Sequence, residues 1–490
     1  MISFSHAFEE TRQAARSLVE FGASVFNPTL RLGVTGLSRS GKTVFITALV
    51  HTLIHGGRLP VFEAMAQGRI ARARLEPQPD DAVPRFDYET HVKALVAERR
   101  WPESTRRISE LRLVIAYQSA RGSARERTLT LDIVDYPGEW LLDLPLIDKS
   151  YAQWSAETLA LSRYGARAKL AAAWHAHLAA LDPAGGEDEQ AALGAARLFT
   201  DYLRACRNDS VAMTLLPPGR FLMPGDLEGS PALTFAPLDI PEGAAPPVGS
   251  LGAMMERRFE AYKDVVVRPF FRDHFTRLDR QVVLVDALAA LNAGPEAVRD
   301  LEATLAEILA CFRIGRRTIL STLVRPRVDR ILFAATKADH LHHTSHDRLE
   351  RILERITERA QAQARFTGAT VDVVALAAVR ATREGTVGVD RDRLPSVIGT
   401  PLAGETASGE TFDGESEVAM FPGDLPDDPA AVFDPDGAGS KASASEAHGS
   451  DFRFLRFRPP LLDPWGGRAP TLPHIRLDRA LQFLLGDRLR

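Results

Sequence analysis

Three features are scarce or absent in this sequence: cysteines, long apolar runs and a signal peptide. Each of them would have indicated a particular class of protein. It has two cysteines in 490 residues, Cys206 and Cys311, too few for a disulfide framework or a cysteine-based zinc site. No stretch approaches the roughly 18 consecutive apolar residues of a membrane-spanning helix. The first residues lack a basic region followed by an apolar run, so we expect no signal peptide. These absences favour a cytoplasmic protein.

Excess charge of one sign is also missing. The net charge is -4, which offers no general attraction to nucleic acid, so we expect no nucleic-acid partner. Hydrophobic residues make up 45% of the chain and charged residues 25%, as in globular proteins. Residues 5–24 have the pattern of a mildly amphipathic helix, which we expect to pack on the rest of the chain.

The most informative stretch is RLGVTGLSRSGKT, residues 31–43. Its last eight residues lie between a predicted strand and a predicted helix (44–53), which is the context of a phosphate-binding P-loop. Glycines let backbone N–H groups approach phosphate oxygens, the lysine contacts the β- and γ-phosphates, and the threonine hydroxyl binds Mg²⁺. The predicted nucleotide-binding residues are Gly36, Ser38, Arg39, Ser40, Gly41, Lys42, Thr43 and Val44.

A second motif follows a predicted hairpin of two strands, 110–117 and 128–134. Asp135 ends the second strand and Gly138 follows three positions later. This spacing predicts a γ-phosphate sensor, in which Asp135 holds Mg²⁺ through water and the Gly138 N–H contacts the phosphate. Glu139 is the next residue. Between the P-loop helix and this hairpin the chain reads as an irregular polar connection, and Thr105 is our candidate there for a further Mg²⁺ and γ-phosphate ligand.

The sequence then departs from a compact nucleotide-binding domain. Helical spacing is present at 150–181 and 188–207, followed by a Pro/Gly-rich, irregular lid at 216–250 and a helix at about 251–278. The α/β pattern resumes with a strand at 281–288, a helix at 295–312 and a strand at 329–335. A large helical insertion therefore divides the core.

The last of these strands ends in Thr336-Lys337-Ala338-Asp339. Loops at the carboxyl ends of parallel strands form the ligand crevice, so this loop should lie near the P-loop. Asp339 can accept the N1–H and N2–H₂ of guanine, donors that adenine lacks, while the Lys337 stem lies along the base. A helix at 346–364 and a strand at 369–379 follow, and backbone N–H groups near Ala378 and Val379 could reach guanine O6.

The rest of the chain changes character. Residues 385–422 read as short polar turns, 423–450 as a flexible loop, 452–457 as an edge strand and 477–489 as an amphipathic helix. We expect four parts: 1–149, the N-terminal helix and first part of the core; 150–278, the insertion; 279–383, the second part of the core; and 384–490, a C-terminal extension.

Several strings closely resemble the bacterial YcjX family of GTPases. They are GLSRSGKTVF, RFDYETHV, WPESTRRISELRL, DYPGEWLLDLP, LFAATKADHLH, FDGESEVAMFPGDLP and ALQFLLGDRL. The resemblance spans nearly the whole chain. It implies GTP and GDP binding, a helical insertion, and genes associated with the envelope-stress response beside a membrane-protein partner, which would allow peripheral contact with the inner membrane.

Four positions depart from typical GTPase motifs. Thr336 replaces the usual Asn of the guanine motif, which should loosen a link to the P-loop, and Ala377 replaces a typical Ser. Arg39 stands where potassium-activated GTPases carry Asn. Glu139 replaces the Gln that orients attacking water, and a carboxylate beside the γ-phosphate repels it, so we expect slow hydrolysis.

The sequence thus predicts an α/β fold with a mostly parallel, P-loop GTPase-like sheet flanked by helices and a large helical insertion after the Asp135–Gly138 loop. We expect a slow, Mg²⁺-dependent GTPase that acts as a conformational switch, with Lys42, Thr43, Thr105, Asp135, Gly138 and Glu139 at the reacting phosphate. Two alternatives stay open: an ATPase or kinase, and a nucleotide-regulated scaffold without significant turnover.

Overall fold

The computed structural model describes residues 28–37, 39–78, 80–103, 105, 107–120, 126–209, 216–240, 245–274, 277–311, 328–366, 368–389, 392–407, 409–434, 452, 454–462 and 469–490. The helix predicted at 5–24 lies outside the described residues, as do Ser38 and positions 435–450 of the predicted flexible loop. None of the helices among these residues is both long enough and apolar enough to cross a bilayer.

A mostly parallel sheet forms the centre of the described chain. Its seven strands, numbered along the chain, are β1 Thr29–Gly36, β2 Ile70–Glu76, β3 Ser109–Gln118, β4 Glu126–Asp135, β5 Arg280–Val285, β6 Arg330–Ala335 and β7 Thr370–Ala375. Their order across the sheet is β2-β3-β4-β1-β5-β6-β7. Strands β4, β1, β5, β6 and β7 are parallel, and β2 and β3 pair antiparallel at one side. The predicted fold class and hairpin are confirmed.

The position of β1 decides where the motifs meet. This strand lies between β4 and β5, and its residues Leu30, Leu32 and Val34 are therefore nearly inaccessible to solvent. Since β1, β4, β6 and β7 run in the same direction, their carboxyl ends lie at one edge of the sheet. The P-loop, the Asp135 loop and the Thr336–Asp339 loop each follow one of these ends, which brings them together.

Helices cover both faces of the sheet and form the insertion. They are α1 Lys42–His55, α2 Glu63–Ala66, α3 Tyr88–Val96, α4 Tyr151–Ser162, α5 Gly165–Leu170, α6 Ala172–Leu178, α7 Glu189–Asn208, α8 Leu251–Tyr262, α9 Arg268–His274, α10 Ala287–Ala293, α11 Pro295–Ala310, α12 His346–Ile356, α13 Glu358–Phe366 and α14 Leu477–Leu485. A π-helical turn, Lys263–Val267, joins α8 to α9. Helix α7 and the closing helix α14 confirm the predictions at 188–207 and 477–489.

Two predictions of long, unbroken helices are wrong. The helix expected at 150–181 is three short helices, because the chain becomes extended at Tyr164 and turns again at Ala171. The helix expected at 346–364 is divided at Thr357 into α12 and α13. Apolar residues at helical spacing mark the buried side of each piece, but this spacing continues across a kink and does not reveal the break.

The connection after the P-loop helix is also more regular than predicted. It contains β2 and α3. Strand β2 reads IARARLE and buries only Ala73, because it lies at the edge of the sheet and pairs on one side with β3. Exposed arginines at an edge strand weaken the apolar alternation, so a strand could not be predicted here from the pattern of residues.

The C-terminal part contradicts two predictions. The stretch read as polar turns forms a three-stranded antiparallel sheet of β8 Arg383–Val389, β9 Asp392–Gly399 and β12 Val418–Met420, with a small hairpin of β10 Thr406–Ala407 and β11 Glu410–Thr411. The edge strand expected at 452–457 is irregular where it is described, and it makes an isolated bridge between Pro401 and Phe457. Its alternation arises because Leu455 and Phe457 are buried and Arg456 is exposed.

A buried carboxylate joins the Asp135 loop to the insertion. The loop continues into a 3₁₀ helix, Gly138–Asp148. Within it, Asp143 accepts hydrogen bonds from the backbone N–H groups of Gly219 (2.7 Å) and Arg220 (3.3 Å) and from the Tyr262 hydroxyl (2.7 Å). Burial raises the pKa of Asp143 to about 6, so at neutral pH the three donors stabilise a carboxylate that is out of contact with water.

Replacing Asp143 by alanine is expected to destabilise the protein by about 2 to 4 kcal/mol, because three buried donors lose their acceptor. Asp143→Asn is the matched control: its single carbonyl oxygen can take the place of Oδ2 and still accept from the Arg220 N–H and the Tyr262 hydroxyl, so we expect a smaller loss. Urea unfolding of the three proteins measures the difference. Equal stability of wild type and Asp143→Ala would contradict this role.

Candidate nucleotide-binding site

The predicted P-loop connects β1 to α1. Gly41 adopts a left-handed conformation (φ 86°) immediately before α1, and its carbonyl accepts from the N–H of Phe45 at 2.9 Å. The Lys42 ammonium donates to the carbonyl of Gly36 at 2.9 Å. Burial lowers the pKa of Lys42, and the carboxylates of Asp135 and Glu139 oppose that change. A buried cation therefore faces acidic groups at the start of α1.

Three oxygen-bearing side chains converge beside this lysine. The hydroxyls of Thr43 and Thr105 lie 3.2 Å apart, and the Thr105 hydroxyl donates to one carboxylate oxygen of Asp135 at 2.6 Å. The other oxygen, Oδ1, is buried without a hydrogen-bond partner. Burial raises the pKa of Asp135 to about 6, which Lys42 and Thr105 partly counteract. This all-oxygen set, with one unsatisfied carboxylate oxygen, fits a hard cation such as Mg²⁺.

Gly138 lies directly against the P-loop. A Cβ added there would lie 2.3 Å from the Gly36 carbonyl oxygen and 2.9 Å from the Lys42 ammonium. Only glycine lets the Asp135 loop approach the phosphate-binding loop this closely.

Glu139 is buried, and its carboxylate is paired with Arg207 at 2.8 Å. Arg207 belongs to α7 of the insertion, so a positive charge from a distant part of the chain compensates the acidic group. The repulsive charge of Glu139 could be predicted from the sequence. Its partner Arg207 could not, because no motif marks this arginine.

The Thr336–Asp339 loop follows β6. Asp339 is buried, and its Oδ2 accepts from the Ala381 N–H at 2.8 Å. The Lys337 residue is in a left-handed conformation (φ 61°), and its ammonium pairs with the Asp286 carboxylate. The Thr336 hydroxyl donates to the Val285 carbonyl at 3.4 Å. The bond of this hydroxyl thus runs to the end of β5.

All three loops border one cavity of about 360 Å³. The predicted residues in its wall are Arg39, Gly41, Lys42, Thr43, Val44, Thr105, Glu139, Thr336, Lys337, Asp339, Ala378 and Val379. Gly36, Ser40, Asp135 and Gly138 lie behind the wall, and Ser38 is outside the described residues. One cavity therefore extends from the buried lysine to the buried aspartate of the guanine motif.

Other wall residues were not found from the sequence. They are Phe45, Trp101, Pro102, Glu103, His340, Leu376, Leu402, Arg456 and Phe457, whereas Ala377, also in the wall, belongs to a motif position identified from the sequence. Trp101 lies four positions before Thr105, and a tryptophan so close to a predicted ligand was the available signal. Leu402, Arg456 and Phe457 belong to the C-terminal extension, where no motif indicates proximity to the P-loop.

Comparison with known proteins shows the family of this chain. A protein of Escherichia coli (strain K12) named Ras-like GTPase YcjX is 38% identical over 477 residues, covering 94% of this chain and 96% of the relative. A Shewanella oneidensis protein of the same name is 35% identical over 485 residues, covering 94% of both chains. The model of the YcjX-like family, DUF463, matches residues 30–489. The chain therefore belongs to the YcjX-like family.

Proposed function

We propose that this protein binds GTP and GDP with Mg²⁺ and hydrolyses GTP slowly, as a conformational switch. The observation that carries the proposal is that Lys42 and Asp339, from loops far apart in sequence, border the same cavity. The names of the two relatives support a GTPase. The family resemblance adds that the switch serves the bacterial response to envelope stress.

Asp339 would identify the base. A carboxylate has about four lone-pair directions, so the bond from Ala381 orients it and leaves capacity for the N1–H and N2–H₂ of guanine. Adenine lacks both donors and presents none to this carboxylate. The backbone near Ala378 and Val379, also in the cavity wall, would donate to guanine O6.

Lys42 and the P-loop N–H groups would hold the β- and γ-phosphates. Thr43, Thr105 and Asp135 would hold Mg²⁺, which supplies charge neutralisation to the phosphates when it is bound. The Gly138 N–H would donate to the γ-phosphate, since this residue already lies against the P-loop. Loss of the γ-phosphate removes that contact, and the 3₁₀ helix that follows Gly138 transmits the change to the insertion through Asp143.

Glu139 would keep hydrolysis slow. It lies in the cavity wall where Ras-like enzymes place the glutamine that orients water, and Arg207 holds its carboxylate. The ion pair reduces the charge that faces the γ-phosphate, so GTP can bind, but a carboxylate held in this way lacks a donor for the phosphate.

Replacing Glu139 by glutamine is expected to raise the single-turnover rate of GTP hydrolysis by about tenfold, which corresponds to roughly 1.4 kcal/mol of barrier. The amide removes the negative charge and can orient water. Glu139→Ala removes the charge alone and should give a smaller increase. A decrease with glutamine would show that the carboxylate assists the reaction, against this proposal.

Calorimetric titration with GDP and ADP in the presence of Mg²⁺ tests the nucleotide assignment. We expect GDP to bind at least about 100-fold more tightly, since two charge-assisted hydrogen bonds distinguish the bases. Equal binding or a preference for ADP would favour the ATPase alternative and contradict the role of Asp339.

A nucleotide-regulated scaffold without significant turnover is the second candidate, because Glu139 replaces the glutamine that orients water. Single-turnover release of phosphate from bound GTP distinguishes the two. Release that is measurable in the wild type and lost in Lys42→Ala supports the GTPase, and no release from either supports the scaffold.

A further inference from the structure

The C-terminal extension reaches the nucleotide cavity. Three of its residues, Leu402, Arg456 and Phe457, form part of the cavity wall, and we call them the C-terminal wall. The three nucleotide motifs end at Val379, so these residues belong to none of them. Their presence raises the question of what this distant part of the chain does at the site.

The C-terminal wall is held in place as a unit. The Leu402 N–H donates to the Arg456 carbonyl at 2.8 Å, and Pro401 and Phe457 form an isolated bridge. The Arg456 side chain and backbone N–H both donate to Glu405, at 2.7 and 2.9 Å. These bonds fix the segment around Leu402 against the segment around Arg456, both of which contribute to the cavity wall.

Phe457 connects the wall to the guanine motif. Its side chain is only 1% exposed, and its ring packs edge-on against the ring of His340, with 5.3 Å between centroids. His340 directly follows Asp339, the residue proposed to bind the base. One side of Phe457 therefore supports the loop that would recognise guanine.

The backbone of the same residue holds a second part of the site. The Trp101 indole N–H donates to the Phe457 carbonyl at 2.6 Å. Four positions later, the Thr105 hydroxyl donates to Asp135 and lies close to Thr43. The short segment Trp101–Glu103 is thus attached to the C-terminal wall through Trp101 and to the P-loop through the Glu103 carbonyl, which accepts from the Thr43 hydroxyl at 3.4 Å.

We propose that the Trp101–Phe457 hydrogen bond holds this segment closed over the bound nucleotide and limits the rate at which GDP leaves. Trp101 and Phe457 are positioning residues, and exchange requires their contact to break. The inference rests on the proposed function and adds to it how the site is kept closed. The neighbouring hydrogen bond from the Arg99 guanidinium to the Pro459 carbonyl, at 3.2 Å, joins the same two stretches of chain, so a factor that separates them would accelerate exchange.

The test measures GDP dissociation by displacement of a fluorescent GDP analogue from the full-length protein with Mg²⁺. Trp101→Phe keeps an aromatic ring and removes the donor, so we expect dissociation about fivefold faster, the value of one neutral hydrogen bond. Trp174→Phe is the matched control, because Trp174 is buried in the insertion outside the cavity wall. Its dissociation rate should equal that of the wild type. Thermal unfolding verifies that each variant is folded.

Chelation of Mg²⁺ separates positioning from general loosening. Without the ion, Thr105 loses the proposed metal contact and keeps only its hydrogen bond to Asp135, so this side of the site is less constrained and Trp101→Phe should accelerate dissociation less than it does with Mg²⁺ present. Dissociation unchanged in Trp101→Phe, equal acceleration in Trp174→Phe, or the same fold-change with and without Mg²⁺ would each overturn the inference. Failure of the wild type to bind the GDP analogue would instead contradict the proposed function.

Discussion

Asp339→Asn is expected to weaken GDP binding by about 100-fold or more and to create a preference for xanthosine diphosphate. Asparagine can keep its carbonyl toward the Ala381 N–H, which places its NH₂ group toward the base. The amide then repels the donors of guanine and donates to the C2 carbonyl of xanthine. The loss corresponds to roughly 3 kcal/mol, typical of two hydrogen bonds to a charged acceptor.

Calorimetric titration of wild type and variant with both nucleotides measures this exchange of preference. Asp339→Ala is the control, since it removes acceptor and donor together and should bind both nucleotides weakly. An unchanged preference for GDP in Asp339→Asn would place the base elsewhere in the cavity.

Lys42→Ala is expected to lower the single-turnover rate of GTP hydrolysis by about 1,000-fold, the upper range for loss of one preorganised charge donor. The ammonium is buried at the start of α1 and borders the cavity, and a water molecule in its place would carry no charge. The variant should stay folded, because burial lowers the pKa of Lys42 and its charged form is costly in the free protein.

Phosphate release from GTP, followed by a phosphate-binding fluorescent reporter, measures the rate. The matched control is Lys93→Ala, which removes an exposed lysine of α3 outside the cavity wall. It should hydrolyse GTP as the wild type does. A Lys42→Ala rate within a factor of a few of the wild type would rule out this lysine as the phosphate ligand.

The inner strands of the central sheet could be predicted because they are largely buried between helices. Strands β4 and β6 read as apolar runs that end in polar motifs, and the rule that ligands bind at the carboxyl ends of parallel strands then brings those motifs together. Strand β2 and the sheet of β8, β9 and β12 could not be predicted in this way. Their residues are partly exposed and mixed in polarity, so they lack the apolar pattern of a buried strand, and β2 and β12 pair with strands that do not adjoin them in the sequence.

The candidate site also contains residues that local motifs predict and residues that only the folded structure reveals. Positions in local motifs, such as Lys42 and Asp339, are recognisable because phosphate and base recognition require fixed residue types at short spacing. Arg207 and Phe457 could not be found, since each reaches the site through folding of a separate part of the chain. The ion pair of Glu139 with Arg207 and the hydrogen bond of Trp101 with Phe457 join residues that are far apart in the sequence, so no local pattern reveals them.

A crystal structure with a non-hydrolysable GTP analogue and Mg²⁺ shows directly whether the three loops bind one guanine nucleotide. We expect the triphosphate at Lys42, the ion among Thr43, Thr105 and Asp135, and the guanine N1 and N2 within hydrogen-bond distance of the Asp339 carboxylate. A nucleotide whose phosphates contact Lys42 while its base lies away from Asp339 would contradict guanine recognition by this loop.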